Sequence, residues 1–424
     1  MRIYFDLVGC RVNEAEIEAM GAEVFALGHA VTGAPEAADW IVINTCTVTR
    51  EAERDSRQKI RQAHARNPSA RLAVTGCWST MEPECAAALP GVARVIANAE
   101  KDHLIAEILG GEKSSAPDSL NQPANGRRRT RAYIKVQDGC DNTCAYCVTR
   151  VARGPVRSRP ADDIVGDILA AERSGSREAV LAGVHLGAWG KDFGLDFGLG
   201  RLLETVLART AIARVRLSSL EPWDLRPELF DLWGNGRLCP HLHLPLQSGC
   251  AATLRRMRRN TAPEDFERLA DSARAAIPGL ALTSDLMVGF PGESESEFRE
   301  SIDFVERMRF ARLHVFRFSP RPGTDAALMQ DAVPQDEIRH RAMWARQIGD
   351  RAAEAFARGF IGREMDVLWE ADTRGGLRRG LTGNFLRVRV RSDNISPNTI
   401  SRVKLISMDQ GEIVGISTPM DARE

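Results

Sequence analysis

Three cysteines close together constrain this chain more than any other feature of its sequence. Cys140, Cys144 and Cys147 form a C-x-x-x-C-x-x-C run. Thiolates are soft ligands that suit both iron–sulfur clusters and zinc. A structural zinc site takes four ligands, commonly in C-x-x-C pairs, and the adjoining sequence offers no fourth Cys or His. The run therefore favours a 4Fe–4S cube with one iron left for an external ligand, and a zinc site is the alternative.

An aromatic residue, Tyr146, stands directly before the last cysteine of the run. With that residue, the run resembles the signature of radical S-adenosylmethionine (SAM) enzymes, in which SAM chelates the open iron. The resemblance implies that Tyr146 lies near bound SAM.

Length and charge narrow the class of protein. A chain of 424 residues is long enough for two or three domains. Its 57 basic and 57 acidic residues cancel, so no global field indicates nucleic acid or membrane. The start of the chain becomes polar too soon for a signal peptide. We therefore expect a cytoplasmic protein, in which the nine cysteines serve as cluster ligands and core residues rather than disulfides.

Strand and helix patterns alternate through the amino-terminal part of the chain, which we assign to a domain over 1–113. This alternation predicts a Rossmann-like α/β domain with a mostly parallel sheet. The apolar runs that indicate strands are 3–8, 40–43, 72–74 and 92–96, and the helical patterns are 13–26, 51–65, 83–89 and 102–109.

Cys10, Cys46 and Cys77 each follow a predicted strand of this domain. The carboxyl ends of parallel strands meet at one edge of a sheet, where open α/β sheets bind ligands. The three cysteines therefore predict a second cluster, and small buried core residues are the alternative. Cys85 falls inside a helical pattern and is predicted to be structural.

A segment rich in Ser, Pro, Asn and Gly follows, and we assign 114–131 to a linker. It ends in the basic run Arg127–Arg131. This run is either a solvated part of the linker or a patch that contacts phosphate, and the sequence leaves both open.

The alternation resumes over 132–358 and predicts a partial (β/α)6 barrel. The central cysteine run follows its first strand, and barrel active sites gather at the carboxyl ends of strands. The predicted strands are 132–136, 179–182, 215–218, 241–246, 282–288 and 313–318.

Polar and glycine residues follow the second to fifth predicted barrel strands and give a rim that faces the same site. We take five of them as candidates for SAM binding, with Glu221 suited to ribose hydroxyls. Ordinary turns also use such residues. The five candidates are Gly183, Ser219, Glu221, Gln247 and Gly289. His185 ends the rim segment 183–185, which follows the second predicted strand. His241 and His243 are predicted to be ordinary, hydrogen-bonded histidines.

The segment 359–424 has short β-like runs at 365–369, 385–390, 403–406 and 413–416, and predicts a small all-β barrel. Arg387, Arg389 and Arg391 alternate with apolar residues, so that on a strand they share one face, with Phe385 nearby. A basic stripe beside an aromatic ring suits RNA. An ordinary solvated strand face is the alternative.

Taken in order, these parts resemble the radical-SAM methylthiotransferase family over essentially the whole chain. That family joins an amino-terminal cluster domain, a radical-SAM barrel and a carboxyl-terminal TRAM barrel. The motifs that carry the resemblance, besides the central run, are Gly9-Cys10-Arg11-Val12-Asn13, Thr75-Gly76-Cys77, Arg153-Gly154-Pro155-Val156-Arg157-Ser158-Arg159 and His243-Leu244-Pro245-Leu246-Gln247-Ser248-Gly249. The first of them is similar to the branch that modifies N6-threonylcarbamoyladenosine in tRNA.

The resemblance implies a chemistry and a set of partners. Cys140, Cys144 and Cys147 would hold the cluster that binds SAM, and the amino-terminal trio would hold an auxiliary 4Fe–4S cluster that carries sulfur. The implied reaction adds a methylthio group to C2 of N6-threonylcarbamoyladenosine at tRNA position 37. An external electron donor is expected, and no membrane or DNA partner.

Two other readings stay open. In the first, the chain is an enzyme of the same class whose substrate is N6-isopentenyladenosine-37 or a ribosomal-protein aspartate. A protein of another class, a non-catalytic zinc-dependent RNA-binding protein, would share the cysteines and the basic strand but would contain no iron.

Overall fold

The computed structural model describes residues 1–110, 130–374, 376–391 and 395–417. Two compact units divide the chain: one contains Met1–Ala211 and Ser319–Ala327, and the other contains Ile212–Phe318 and Leu328–Glu424. In the described ranges, every helix is too short or too polar to cross a membrane. Most of the predicted linker, including Arg127–Arg129, lies outside the described residues.

A five-stranded parallel sheet forms the amino-terminal part of the first unit. Its order is β2-β1-β3-β4-β5. The four predicted strands are confirmed as β1, β3, β4 and β5. The sequence does not indicate the edge strand β2, because two residues are too few to show a period. The strands are β1 (Arg2–Leu7), β2 (Ala30–Val31), β3 (Trp40–Thr45), β4 (Arg71–Gly76) and β5 (Val92–Ile96).

Helices cover both faces of this sheet. Successive side chains of β3 point to opposite faces, so Trp40 and Val42 join one apolar core while Ile41 and Ile43 join the other. Every residue of β3 is buried, as expected for a central parallel strand. The helices are α1 (Arg11–Ala26), α2 (Arg50–Arg66), α3 (Cys77–Met81), α4 (Pro83–Ala87) and α5 (Leu104–Leu109).

The rest of the first unit begins the predicted barrel. Strand β6 pairs in parallel with β8 and antiparallel with the short β7. Helix α1 packs on β6, and the backbone N–H of Tyr133 donates to Glu18 Oε2 over 2.8 Å. The elements are β6 (Arg131–Asp138), α6 (Thr149–Arg153), β7 (Arg157–Ser158), α7 (Ala161–Arg173), β8 (Glu178–Gly183) and α8 (Gly198–Arg209).

The second unit contains the other four predicted barrel strands, which confirms all six. Strands β10, β11 and β12 form a parallel sheet. Helix α11 begins with a capping box between Ser294 and Glu297. The elements are β9 (Arg214–Leu217), β10 (His241–His243), α9 (Ala251–Arg256), α10 (Pro263–Ala276), β11 (Ala281–Val288), α11 (Glu295–Met308), β12 (Arg312–Arg317) and α12 (Gln335–Arg358).

A closed five-stranded barrel follows α12, which confirms the small all-β barrel. Its order is β13-β14-β15-β17-β16, and Val367, Trp369 and Val403 lie in its core. Strand β14 is not indicated by the sequence, because two arginines and a glycine interrupt its apolar pattern. The strands are β13 (Glu364–Arg374), β14 (Leu377–Thr382), β15 (Arg387–Arg391), β16 (Ile400–Asp409) and β17 (Glu412–Ser417).

Candidate active site

The central cysteines lie on the loop between β6 and α6. The backbone N–H of Cys147 donates to the carbonyl of Cys144 over 3.1 Å, and that of Cys140 donates to Gly154 over 3.0 Å. Gly139 has a φ of +71°, and a Cβ there would lie 1.8 Å from the carbonyl oxygen of Pro155. Only glycine fits this turn, so the residue before Cys140 fixes where the loop leaves the strand.

His185, which follows β8, contacts this loop. Its Nδ1 lies 3.6 Å from the Sγ of Cys140, and its backbone N–H donates to Gln137 Oε1 over 2.8 Å. The imidazole is buried. Sequence reasoning noted His185 only as the end of a rim segment. The available signal was its position directly after the strand that neighbours β6.

Burial raises the pKa of the Cys147 thiol, while the Thr149 hydroxyl opposes that rise and the neighbouring Cys140 adds to it. The Cys140 and Cys147 side chains are thus near neighbours on the folded loop. All nine cysteines lie in the described residues, and none of them forms a disulfide.

The amino-terminal trio lies at the ends of three adjacent strands. Cys10 precedes α1, Cys46 follows β3, and Cys77 is the first residue of α3 directly after β4. Burial, with smaller contributions from the neighbouring Cys77 and Cys10, raises the pKa of Cys46 to about 11. The fold therefore brings together three thiols that are far apart in the sequence.

Backbone and hydroxyl contacts hold this edge of the sheet. Gly76 has a φ of +105°, and a Cβ there would lie 2.3 Å from the carbonyl oxygen of Thr45. The Thr45 hydroxyl donates to the carbonyl of Thr75 over 2.6 Å. The Ser56 hydroxyl accepts from the backbone N–H of Cys46 over 3.1 Å and donates to its carbonyl over 3.2 Å. These contacts fix Cys46 and Cys77 relative to each other.

Two asparagines contact the sulfurs of the trio. Asn13 Oδ1 lies 3.6 Å from Cys10 Sγ. Asn98 Nδ2 lies 3.7 Å from Cys77 Sγ and donates to the carbonyl of Ala152, in α6, over 2.8 Å. The second contact joins the trio to the helix that follows the central cysteine loop.

The donor chemistry of both sets fits iron–sulfur clusters. Each set offers three thiols, which are the ligands that such clusters take. In the ranges that the structure describes, no three His, Cys, Asp or Glu side chains are grouped so as to hold one metal ion. The thiolates of a cubic cluster each bind a different iron, so they need not converge on a single point.

The six candidates for SAM contact fall in both units, and their roles remain predictions. Tyr146, which is half-buried, and Gly183 belong to the first unit. The four in the second unit are Ser219, Glu221, Gln247 and Gly289.

Two of the four already have strong contacts within the second unit. Glu221 Oε2 accepts from Nη2 of the buried Arg259 over 2.7 Å. The backbone N–H of Gly289 donates to Glu293 Oε2 over 2.7 Å. Gln247 has a φ of +70°, and such strain in a non-glycine residue, worth about 1–3 kcal/mol, is typical of functional sites.

The predicted RNA-contacting residues differ in their surroundings. Arg387 and Arg391 are exposed at the ends of β15. Arg389 on the same face is ion-paired with Asp409 and lies 4.0 Å from Glu412. Its charge is thus partly compensated within the barrel.

Phe385 does not lie on that strand, so the predicted run from 385 to 390 is wrong at its start. The strand begins two residues later, because Phe385 has a φ of +68° that ends extended pairing. Its ring stacks on His241 with centroids 5.0 Å apart, and the guanidinium of Arg216 lies 4.8 Å from the ring centroid.

Comparisons with known proteins match both cysteine regions. Residues 2–97 match the family described as Uncharacterized protein family UPF0004, and 134–305 match the radical SAM superfamily. The chain is 35% identical over 415 residues to the Threonylcarbamoyladenosine tRNA methylthiotransferase MtaB of Thermotoga maritima, covering 96% of this chain and 95% of that one. It belongs to the radical-SAM methylthiotransferase family.

Two further relatives are also named for methylthio transfer, and one solved structure shares the fold. The Bacillus subtilis protein of the same name is 32% identical over 423 residues (95% and 93% covered). The tRNA-2-methylthio-N(6)-dimethylallyladenosine synthase of Thermodesulfovibrio yellowstonii is 30% identical over 426 residues (97% and 98%). The structure of the radical SAM methyltransferase TsrM from Kitasatospora setae, with cobalamin and a [4Fe-4S] cluster bound, shares the fold at a TM-score of 0.54 and 13% identity, covering 89% and 80%.

The predicted enzyme class and fold class are thereby confirmed. The chain is a radical-SAM methylthiotransferase, an enzyme class whose cofactors are two 4Fe–4S clusters and SAM.

Proposed function

We propose that this enzyme adds a methylthio group to C2 of N6-threonylcarbamoyladenosine at position 37 of tRNA. The observation that carries the proposal is the presence of two separate thiol sets in one compact unit. The branch is supported by four relatives named for this reaction, which are 31–35% identical over most of the chain. The motif from Gly9 to Asn13 supports the same branch.

Cys140, Cys144 and Cys147 are assigned to the cluster that binds SAM, because they lie on one loop at the carboxyl end of the first barrel strand. Cys10, Cys46 and Cys77 are assigned to the auxiliary cluster. When bound, the clusters and SAM supply radical chemistry, which an unactivated aromatic C–H requires.

The protein's own contribution is to hold and shield these groups. Cys46 and Cys77 are 7% and 6% exposed, whereas Cys10 is exposed, so the fold shields two of the three thiols from water. The contact between Asn98 and Ala152 connects the trio to α6 within one unit. Fixed geometry of this kind reduces the entropy that is lost when the reacting groups are brought together.

The carboxyl-terminal barrel is assigned to tRNA binding. Exposed Arg387 and Arg391 are suited to phosphate contacts, which position a nucleic acid without specifying its sequence. The base is therefore selected elsewhere, near the reacting groups.

Mass spectrometry of tRNA nucleosides tests the substrate. In cells that lack this protein, the methylthio form of threonylcarbamoyladenosine should vanish, and threonylcarbamoyladenosine itself, its precursor, should accumulate. If the dimethylallyl nucleoside loses its methylthio group instead, the substrate is the one named for the Thermodesulfovibrio yellowstonii relative. A change in the mass of a ribosomal protein would indicate that the substrate is a protein aspartate.

Iron analysis tests the class of protein. After anaerobic purification, the enzyme should contain iron and inorganic sulfide in similar amounts. Zinc without iron would indicate the non-catalytic RNA-binding alternative.

A further inference from the structure

A buried group of charged side chains lies beside the amino-terminal trio and belongs to neither predicted site. We call it the charge network. Its members come from α1, from the turn before α5, from β6 and from α6, and all lie in the first unit. They are Glu16, Lys101, Lys135, Asp138 and Arg153.

Arg153 is the centre of the charge network. Its Nη1 donates to Glu16 Oε1 over 2.8 Å and to Asp138 Oδ1 over 2.9 Å. Lys101 Nζ donates to Glu16 Oε2 over 2.7 Å. Lys135 Nζ lies 3.4 Å from Glu16 Oε1 and 3.3 Å from Asp138 Oδ2. Each carboxylate is thus shared between two or three cations.

The balance of charge in the network is positive. The side chains of Arg153, Lys101 and Glu16 are 1%, 2% and 3% exposed, so water screens them little. Three cations face two buried carboxylates. Asp102 also lies 3.9 Å from Lys135 Nζ, but it is 70% exposed. A surplus of buried charge is costly unless an opposite charge lies nearby.

The amino-terminal trio lies next to this surplus. Arg153 Nη2 donates to Asn13 Oδ1 over 2.8 Å, and the same oxygen lies 3.6 Å from Cys10 Sγ. Burial would lower the pKa of Arg153, but Glu16, Cys77 and the other acidic neighbours hold it well above its usual value. Asn98 adds a second contact, from Cys77 Sγ to α6.

A 4Fe–4S cube held by three thiolates is an anion, because the thiolates outweigh the charge of its oxidised core. Reduction by one electron makes it more negative still. Net charge, hydrogen bonds and solvent exposure set the potential of such clusters. A buried positive charge nearby therefore favours both binding and reduction of the cluster.

We propose that Arg153 is a positioning residue for the auxiliary cluster: it holds the Cys10 loop against α6 through Asn13, and its buried charge raises the reduction potential of that cluster. This inference rests on the proposed assignment of the cluster to Cys10, Cys46 and Cys77. Because α6 directly follows the central loop, the same helix that ends the SAM-cluster motif sets the electrostatics of the other cluster.

The test uses the full-length chain with Cys140, Cys144 and Cys147 all replaced by Ala, which leaves one cluster to measure. Dithionite titration followed by electron paramagnetic resonance gives the midpoint potential. In this background, Arg153→Met should lower the ratio of reduced to oxidised cluster at a given potential by about tenfold, equivalent to about 59 mV for one electron. Arg153→Lys should restore most of the ratio.

Glu16→Gln should shift the midpoint potential in the opposite direction to Arg153→Met. It removes a buried negative charge, so the surplus grows and the midpoint potential should rise. A loss of packing or stability does not explain shifts in opposite directions for two residues that bond to each other. Arg150→Met is the matched control, because Arg150 lies exposed on the same short helix. The midpoint potential of the cluster in this variant should equal that of the background variant.

The outcomes separate the two assignments. If the background variant binds no iron, the proposed assignment of the trio is wrong. If it binds one cluster and neither Arg153→Met nor Glu16→Gln moves the potential, the role of Arg153 is wrong. If Arg153→Met loses iron while Arg153→Lys keeps it, the positioning role is supported. If both Arg153 variants lose iron, a raised midpoint potential in Glu16→Gln supports the role of buried charge, and an unchanged or lowered potential contradicts it.

Discussion

The two cysteine sets differ in how the chain produces them. The central set lies on one loop, and its spacing alone brings three thiols together. The amino-terminal set exists only when β1, β3 and β4 lie side by side. A site made by one loop survives small changes in its domain, whereas a site made by three strand ends depends on the whole sheet.

Their surroundings differ as well. Around the central loop, Cys140 Sγ lies near the His185 ring and accepts from the backbone N–H of Asn142 over 3.4 Å. The amino-terminal trio instead lies beside buried cations of the charge network. The buried cations beside the second set are therefore suited to stabilise negative charge there.

Removing one central thiol should have the largest effect. Cys144→Ala should abolish SAM cleavage and remove about half of the iron, because a cube that loses one of three thiolates is poorly held. Iron content and 5′-deoxyadenosine, measured anaerobically, check this. Cys85→Ala, at an exposed cysteine, is the control. Normal deoxyadenosine formation by Cys144→Ala would remove the central loop from the reaction.

Breaking the charge network should destabilise the sheet that makes the second site. Burial alone would raise the pKa of Glu16, but Lys101, Arg153 and Lys135 hold it well below its usual value. Its ion pairs therefore contribute stability at neutral pH, and this contribution is lost as pH falls through the lowered pKa. Glu16→Gln should cost about 3–5 kcal/mol at pH 7.

Urea unfolding at several pH values measures that effect. The difference between wild type and Glu16→Gln should shrink on acidification below about pH 4, where the unfolded carboxyl becomes protonated. A difference that stays constant with pH would show that lost packing, rather than lost charge, causes the destabilisation.

Glycine substitutions compare a tightly packed and an open backbone position in the amino-terminal domain. Gly76→Ala should cost about 2–4 kcal/mol, because its φ of +105° and ψ of −173° lie in a region that is essentially restricted to glycine and the new Cβ meets the Thr45 backbone. Gly110, directly after α5, has a left-handed helical backbone (φ +73°) with nothing within 4 Å of a built Cβ, so Gly110→Ala should cost only about 1 kcal/mol. Equal costs in urea unfolding would contradict the close packing assigned to the β3 and β4 ends.

The smallest effect concerns tRNA and should leave both cysteine sets unchanged. Arg387→Gln should weaken tRNA binding and lower its salt slope by about one. Arg389→Gln should do less, because its charge is already paired with Asp409. Binding measured at several salt concentrations checks this, with iron content as the control. A larger loss from Arg389 would place the contact surface differently.

The sequence predicted most of the fold because its signals are local. All six barrel strands and four of the five amino-terminal strands follow apolar runs bounded by turns. The central cysteine run was recognisable for the same reason. Strand β14 was not, since Arg378, Arg379 and Gly380 hide its period, and Phe385 was misplaced because the backbone turn before β15 leaves no clear pattern.

The surroundings of the sites were not predictable, because they depend on pairs far apart in the chain. Arg153 meets Glu16 and Asn13 across 137 and 140 positions, and no periodicity indicates such a contact. His185 approaches Cys140 only because β6 and β8 pair in parallel. Sequence patterns predict which residues lie at each strand end. Only the fold shows which distant side chains contact those residues.

The division of labour between the two cysteine sets is tested most directly by one assay of the variant in which Cys10, Cys46 and Cys77 are all Ala. Deoxyadenosine and methylthiolated nucleoside are measured in the same anaerobic reaction with substrate tRNA. The variant should keep about half of the iron and still form deoxyadenosine, yet give no methylthio product. Iron equal to wild type, or normal methylthiolation, would contradict the assignment of sulfur transfer to the amino-terminal trio.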